Sequence, residues 1–367
     1  MKIECIKEKL TKAVSAAERV TSKNPTLPVL SCILFEVSKN SLTIKATNLD
    51  LGIEINIPVK VLKEGKVAIP SQILNTFLGT IQNDKNITIE TTENNTVKIV
   101  GSKTSTTIKS LPYDDFPNIP QVSDEQSFKI SSVDVVKGLK SVWYSSSVSS
   151  VKPELSSVFI HSEEDLLVFA ATDSFRLAEK RVRVKKPSQI ERILVPFKNI
   201  PEIIRTLDGM NAEILVCFTK NQISFSHEDT YLTSRVVDGI FPDYKQIIPS
   251  GNLTEVTLLK QDLIQALKAA NIFSDKFNQI NIKVAPETKS LVLKTSNNDV
   301  GESVNSVDAT ISGEAIAVNF NYKYLSDCFQ SIDSDSVSLF FNGLSRPLVI
   351  RGTGDKSFLY LVMPMNK

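Results

Sequence analysis

The sequence repeats a strand, a polar corner and a second strand three times, at an interval of 125 residues. The corners centre on Thr47, Thr172 and Asn297, and in each an alternating or apolar run leads into a short polar stretch before another run leaves it. This interval is far longer than the roughly 20–50 residues of solenoid repeats. It therefore indicates triplication of a whole domain, and 367 residues are enough for three.

Each third also contains two helical patterns among its predicted strands. The first helices are predicted at 6–22, 131–147 and 259–275, and the second helices at 71–81, 197–207 and 321–331. Apolar stripes at helical spacing support two of them: Leu10, Val14, Ala17 and Val20, and then Leu259, Leu263, Leu267 and Ala270. Pro-rich stretches at 113–126 and 241–252 separate the thirds. We therefore predict an α+β fold of three tandem domains at 1–125, 126–249 and 250–367.

Composition excludes several classes of protein. Charged residues run through the first 20 positions, which is not typical of a secretory signal, and no apolar run approaches the roughly 20 residues of a membrane span. The cysteines are scattered without a Cys-x-x-Cys pair, as expected for free thiols in a reducing cytoplasm: Cys5, Cys32, Cys217 and Cys328. We predict a cytoplasmic protein with no metal, no cofactor and no membrane partner.

The sequence contains no recognisable catalytic motif. His161 and His227 are predicted to lie in hairpin turns, without partners at metal-binding spacing, and no Gly-x-Ser-x-Gly elbow is present. The segment "GTGDKS" (352–357) lacks the spacing of a phosphate-binding loop and reads as a hairpin turn. One alternative is an enzyme in which Asp173 and Arg176 act at a domain interface. Another is a structural ring that binds no nucleic acid.

Positive charge is concentrated in the predicted helices. The six helical segments together carry a formal charge of +4, whereas the whole chain carries only +1. A surface built from these helices would attract phosphates although the rest of the molecule would not. The alternative is that these lysines and arginines only keep exposed helix faces soluble.

Five motifs occur in order along the chain: "NPTLPVL" (24–30), "AATDSFRLA" (170–178), "VPFKN" (195–199), "FPDYKQIIP" (241–249) and "YLVMPMNK" (360–367). With them the sequence resembles, over its entire length, the bacterial sliding clamp family, the beta subunits of the replicative DNA polymerase holoenzyme. The resemblance implies domains with two helices on curved antiparallel sheets. Two chains would join head to tail into a ring whose helices surround duplex DNA, as a processivity factor without catalytic activity.

The resemblance also implies a groove between the second and third domains. It would receive short linear peptides from the polymerase catalytic subunit, the clamp loader, other polymerases and repair proteins. The matching positions are Leu155, Thr172, Ser174, Phe175, Arg176, Leu177, Pro242, Gln246, Ile247, Leu344, Val362, Met363, Pro364 and Met365. Ser174-Phe175 stands where family members often have Gly-His, Gln246 stands at a position that is commonly basic, and the end, Asn366-Lys367, is unusually polar. These departures concern peptide preference.

Two further sets of positions follow from the resemblance. Those matching DNA contacts are Lys23, Asn24, Lys198, Phe277, Asn321 and Tyr324. For the homodimer, the edge strand at 104–110 is expected to pair with the strand around 299–306 of the second copy. Ile108 would pack near Ile272 and Phe273, Lys103 would face Glu302, and Thr106 stands where an aromatic residue is common.

Overall fold

The computed structural model describes residues 1–23, 26–82, 84–92, 95–184, 190 and 192–365. Over this part of the chain, contacts divide the protein into two compact units. Unit 1 consists of Met1–Val133 and Lys198–Val236, and unit 2 of Asp134–Phe197 and Val237–Lys367. The central third of the sequence thus contributes to both units.

The described residues contain two α-helices in each third of the chain. In chain order they are α1 (Lys7–Val20), α2 (Ser71–Thr80), α3 (Ser132–Val142), α4 (Ile200–Leu207), α5 (Lys260–Asn271) and α6 (Tyr322–Asp327). All six lie within the predicted segments. The predictions at 131–147 and 321–331 were too long, because α3 and α6 give way to the 3₁₀ helices Trp143–Ser145 and Cys328–Ser331. None of the described helices is long and apolar enough to cross a bilayer.

Strands make up most of the rest of each third. The first third contains β1 (Lys2–Ile6), β2 (Cys32–Ser38), β3 (Ser41–Thr47), β4 (Leu51–Pro58), β5 (Lys60–Lys63), β6 (Gly65–Pro70), β7 (Asn86–Thr92), β8 (Thr96–Val100) and β9 (Ser105–Lys109). The central third contains β10 (Ser127–Ser131), β11 (Ser157–Glu163), β12 (Leu166–Thr172), β13 (Arg176–Arg183), β14 (Ile193–Pro196), β15 (Glu213–Phe218), β16 (Gln222–His227) and β17 (Thr230–Arg235). The last third contains β18 (Thr254–Leu259), β19 (Gln279–Ala285), β20 (Ser290–Asn297), β21 (Gly301–Asp308), β22 (Thr310–Gly313), β23 (Ile316–Asn321), β24 (Ser336–Phe341), β25 (Leu348–Gly352) and β26 (Phe358–Val362).

Within the described residues, each unit contains one large and one small antiparallel sheet. In unit 1 the strand orders are β10-β15-β16-β17-β4-β3-β2-β6 and β5-β1-β7-β8-β9. In unit 2 they are β14-β11-β12-β13-β26-β25-β24-β18-β22 and β21-β20-β19-β23. Both large sheets join strands of neighbouring thirds: β17 pairs with β4, and β13 pairs with β26. Sheet pairing therefore runs across the boundaries between the thirds.

The helices bury the stripes that the spacing indicated, with one exception. Leu10, Val14, Ala17 and Val20 of α1 are all buried, and α1 packs on β3 and β4. In α5 the buried residues begin at Leu263, whereas Leu259 is exposed because it ends β18 and precedes the helix. Including Leu259 in the stripe was therefore wrong.

Two smaller predictions have opposite outcomes. Residues 352–357 connect β25 to β26, so the hairpin turn predicted there is confirmed. His161, by contrast, lies within β11 and is buried, and His227 is the last residue of β16. The acidic residues beside His161 suggested a turn, but its ring stacks on Phe159 within the sheet (centroids 4.6 Å apart).

Candidate functional site

The corner between β12 and β13 is held by hydrogen bonds from its own side chains. Thr172 Oγ1 donates to the carbonyl of Arg176 (2.6 Å) and accepts from the amide of Ser174 (3.2 Å). Asp173 Oδ1 accepts from the amides of Phe175 and Arg176 (3.0 Å each). Ser174 has φ +79°, in the left-handed region that glycine adopts most easily. The corner is therefore tight and specified by local residues.

The same construction occurs in the first third. Thr47 Oγ1 donates to the carbonyl of Leu51 (2.7 Å) and accepts from the amide of Leu49, which has φ +76°. The third corner differs, because Asn297 stands in place of threonine and the left-handed residue there is Gly301 (φ +120°). The corner at Thr172 is thus one copy of a structural unit, and any function specific to it arises from its surroundings.

Arg176 connects this corner to α6. Its Nε donates to Asp173 Oδ2 (2.9 Å), its guanidinium also pairs with Asp327, and its charge lies 4.7 Å from the centre of the Tyr324 ring. Burial alone would lower the pKa of Arg176, but Tyr360 and the two carboxylates outweigh it and raise the pKa above the ordinary value. Arg176 is therefore a fixed cation neutralised by its neighbours.

An exposed aromatic pair stands beside this cation. The ring of Phe175 stacks on that of Tyr324, with centroids 6.3 Å apart and planes 17° from parallel, and Phe175 is 59% exposed. The backbone of Tyr324 is also fixed, because its carbonyl accepts a hydrogen bond from the hydroxyl of Tyr360 (2.8 Å). Asn321 caps α6 through its side-chain oxygen and donates from Nδ2 to the carbonyl of Phe277 (3.2 Å). These contacts fix one side of the candidate site.

The segment that follows β26 closes the other side. The amide of Met363 donates to the carbonyl of Phe175 (2.8 Å), and the amide of Met365 donates to the carbonyl of Asn319 (2.8 Å). Between the aromatic pair and this segment lies a cavity of about 360 Å³. It is lined by Phe175, Phe277, Asn321, Tyr324, Met363, Pro364 and Met365. Apart from Asn321 and the Tyr324 hydroxyl, this lining is apolar or thioether, and methionine adapts to ligands of different shape.

The residues that line this cavity come from two sets of positions that were expected to have different functions. Phe175, Met363, Pro364 and Met365 come from the expected peptide site. Phe277, Asn321 and Tyr324 come from the expected DNA contacts, and the structure brings them to the peptide residues instead. No pattern in the sequence indicated this grouping, because it arises from the pairing of β19 with β23 and from the Met365–Asn319 bond.

The remaining expected peptide residues divide into a buried and an exposed set. Leu155 and Thr172 are buried, and Leu177 and Val362 have no exposed surface at all. Leu177 belongs to a core cluster with Phe241, Tyr244 and Leu361, so it supports the site from below and cannot itself be a wall. The exposed set comprises Ser174, Pro242, Gln246, Ile247 and Leu344. Sequence spacing could not distinguish the two sets.

The two described lysines among the expected DNA contacts lie in unit 1. Lys198 is exposed and its Nζ lies 2.5 Å from Asp50 Oδ2. Lys23 is exposed and lines a polar groove of about 870 Å³ together with Arg19 and Arg205, which both contact Glu202. The sequence prediction did not include these two arginines, although both lie on predicted helices. Asn24 lies outside the described residues, as do Asn366 and Lys367.

The expected dimer residues stand on or next to sheet edges. β9 is an edge of the small sheet of unit 1, and β21 is an edge of the small sheet of unit 2. Ile272 is 69% exposed, Phe273 is half-buried, and Glu302 pairs with Lys294 (3.3 Å). Lys103 is exposed and Thr106 is half-buried. Ile108 is only 4% exposed within a single chain, because its side chain points into the core of unit 1.

The described residues contain no cluster of three or more His, Cys, Asp or Glu side chains that could hold a metal ion. The four cysteines are all free and buried. Asp173 is occupied on both oxygens, since Oδ1 binds the corner amides and Oδ2 binds Arg176. The Asp173–Arg176 pair is therefore a structural element of the corner.

Family models match almost the whole chain in three successive pieces. A model described as the DNA polymerase III beta subunit, N-terminal domain, matches residues 1–120. The central-domain model of the same subunit matches residues 129–243, and the C-terminal-domain model matches residues 245–366. The three models follow each other in the order of the repeats.

Individual relatives agree with this result. The chain is 28% identical to the Beta sliding clamp of Synechococcus elongatus, with 100% of this chain and 99% of that protein covered. It is 26% identical to the Beta sliding clamp of Rickettsia felis, with 97% of each covered. The fold matches the crystal structure of the DNA polymerase sliding clamp from Bacillus subtilis with a TM-score of 0.95, at 23% identity and coverage of 100% and 99%.

Proposed function

We propose a function for this chain on the premise that it belongs to the DNA polymerase III beta subunit family. It is a DNA sliding clamp built from three tandem clamp domains. The observation that carries this conclusion is the succession of three domain models of a single family along a chain that shows the corresponding structural repeat. We place the domain boundaries at 125/126 and 249/250, within the connecting segments.

The proposed assembly is a head-to-tail homodimer that closes into a ring. The unpaired edges of β9 and β21 are suited to pair between two copies, which extends both small sheets and covers two exposed strand edges. Ile272 and Phe273 then contribute the apolar contact. Because Ile108 is already buried, its part in the interface is to support β9 from within.

The proposed contact with duplex DNA is electrostatic and does not read the sequence. In unit 1 we assign it to Lys23, Arg19 and Arg205, which line one polar groove, and to the exposed Lys198. Contacts of this kind neutralise phosphates and release counterions, and their weakness allows movement along the duplex. The ring itself retains the DNA by enclosing it.

The proposed partner site is the cavity beside the corner at Thr172, together with the exposed residues Pro242, Gln246 and Ile247. An apolar cavity with a few fixed polar groups is suited to the side chains of a short linear peptide. The partners are the replicative polymerase catalytic subunit, the clamp loader, other polymerases and repair proteins. We assign Phe277, Asn321 and Tyr324 to this site and not to DNA.

The protein is proposed to act as a processivity factor in the cytoplasm and not as an enzyme. The engagement of both Asp173 oxygens within the corner supports this proposal, and four buried free cysteines suit a reducing compartment. The remaining alternative is a ring that binds no nucleic acid.

Retention on closed and open DNA tests the proposal directly. The protein is loaded by the clamp loader onto a nicked circular plasmid, and half of the sample is then linearised. We expect retention on the circle, loss from linear ends, and a native mass of two chains. Equal retention on both forms would indicate ordinary DNA binding, and no retention on either would favour the ring without DNA.

A further inference from the structure

The segment Phe241–Ile248 carries part of the proposed peptide site, although no strand pairing of the described residues holds it. Its regular structure is the 3₁₀ helix Tyr244–Ile247. Its backbone hydrogen bonds are local and include Tyr244 N to Pro242 O (2.7 Å) and Ile248 N to Lys245 O (3.2 Å). The position of this segment against the large sheet of unit 2 therefore depends on its side chains.

Two rings anchor the segment in the core. Phe241 stacks on Phe159, with centroids 4.8 Å apart, and Tyr244 meets the ring of Phe241 edge-on at 5.9 Å. Both belong to the cluster that contains Leu177, the residue just after Arg176 in β13. Ring packing brings the segment onto the sheet, but the preference of ring pairs for stacked or edge-on geometry is weak and does not by itself fix one position along the sheet.

One buried hydrogen bond fixes the position of the segment along the sheet. The Tyr244 hydroxyl donates to Glu179 Oε2 (2.6 Å), and Glu179 Oε1 accepts from Arg181 Nε (2.7 Å). Tyr244 and Glu179 are 4% and 3% exposed. Burial and the adjacent Glu179 carboxylate raise the pKa of Tyr244 well above its ordinary value, so the hydroxyl keeps its proton and remains a donor. Glu179 stands on β13, three residues beyond Arg176.

A second polar contact lies at the surface. Lys245 pairs with Glu163, which also contacts His161 Nε2 (3.0 Å). The Lys245 side chain is 52% exposed, and exposed ion pairs contribute little because water and salt screen them. The buried Tyr244–Glu179 bond is therefore the stronger constraint, since a bond to a charged acceptor shielded from water is costly to break.

We propose that Tyr244 and Glu179 are positioning residues for the peptide site, and this proposal rests on the proposed function of that site. Their hydrogen bond ties Pro242 and Ile247 to the same strand that begins with Arg176. Neither residue touches the peptide. They set the distance between the exposed residues of the segment and the corner, and so determine whether a peptide can contact both at once.

The test removes one oxygen atom and keeps the ring. Tyr244→Phe is compared with wild type for affinity to a fluorescein-labelled peptide carrying the clamp-binding segment of the replicative polymerase catalytic subunit. The matched control is Tyr231→Phe in unit 1, where the Tyr231 hydroxyl holds the first connecting segment by accepting from Val122 N (3.0 Å) and donating to Pro120 O (2.9 Å). We expect about fivefold or greater weakening for Tyr244→Phe and an unchanged Kd for Tyr231→Phe.

Two Glu179 variants separate positioning from general stability. Glu179→Gln keeps one acceptor oxygen, which can serve either the Tyr244 hydroxyl or Arg181 Nε, and should weaken peptide binding less than Glu179→Leu, which leaves the Tyr244 hydroxyl without an acceptor and should resemble Tyr244→Phe. Wild-type affinity in Tyr244→Phe overturns the proposal. So does equal weakening in Tyr244→Phe and Tyr231→Phe, which would show only lost stability. If wild type itself does not bind the peptide, the proposed function of the site fails instead.

Discussion

The ring of Phe175 lies nearly parallel to the ring of Tyr324, with centroids 6.3 Å apart, although the two residues are 149 positions apart in the chain. The centre of the Tyr324 ring also lies 4.7 Å from the guanidinium carbon of Arg176. A residue of the corner and a residue of α6 thus form one exposed aromatic surface. This contact brings the central and last thirds of the sequence together at the proposed peptide site.

We expect Phe175→Ala to weaken peptide binding by about 1 kcal/mol, roughly fivefold, because it removes an exposed ring and its stacking contact. Isothermal titration with the polymerase peptide measures the change. Leu49→Ala is the control, since Leu49 is an exposed apolar residue of the equivalent corner in unit 1. Equal affinity in wild type and Phe175→Ala would remove this ring from the site.

Removing residues 363–367 should abolish peptide binding and leave the dimer intact. β26 ends at Val362, so the sheet is complete without these residues, while the lining provided by Met363, Pro364 and Met365 is lost. Loss of several anchors should cost about 2 kcal/mol or more. Sedimentation and peptide titration are compared with wild type. Normal peptide binding would refute the site, and dissociation into monomers would show that this segment is needed for the fold.

Ile272→Asp should break the dimer without destabilising the monomer. Ile272 is 69% exposed in a single chain, so the carboxylate is hydrated there and becomes buried only on association, at a cost of about 3 kcal/mol. Ile108→Asp is the contrasting variant, since Ile108 is already buried and the change should lower the melting temperature of unit 1 as well. Analytical ultracentrifugation over a dilution series measures dissociation. A dimer that persists at low concentration in Ile272→Asp would place the interface elsewhere.

Affinity for short linear duplexes should be low and should fall steeply with salt. Arg205→Glu or Lys198→Glu should weaken binding to all sequences alike and reduce the slope of log K against log salt by about 1. Fluorescence anisotropy at several salt concentrations gives the slope. The control is Lys220→Glu, which reverses an exposed lysine between β15 and β16 of unit 1, away from the expected DNA and dimer positions in the sequence. A loss that depends on DNA sequence would contradict contact through phosphates alone.

The repeat and the secondary structure could be predicted from the sequence because both depend on local patterns. The apolar stripe of α1 repeats every three or four residues, and the corner at Thr172 is held by hydrogen bonds among residues 172–176. Leu259 was misassigned because a strand ends directly where α5 begins, and an apolar residue fits both periodicities. His161 was misassigned because its burial depends on the pairing of β11 with β12 and on the packing of the neighbouring Phe159 ring against the distant Phe241.

The candidate site was only partly predictable. The resemblance identified the corner and the segment after β26, but the burial of Leu177 and Val362 depends on how β13 pairs with β26. The place of Phe277 depends on a hydrogen bond from Asn321, at a separation of 44 residues. Contacts of this kind follow from sheet register and helix placement, and no pattern in a single sequence encodes them.

The pairing of β13 with β26 has a consequence for building chimaeras. Five backbone partners join the two strands, from Arg176↔Val362 to Lys180↔Phe358. A recombinant that exchanges only the last third with a homologue would match one organism's β13 to another organism's β26. The interchangeable module for transplanting partner specificity is therefore the discontinuous piece 134–197 plus 237–367, with crossovers placed in Val133–Asp134, Phe197–Lys198 and Val236–Val237.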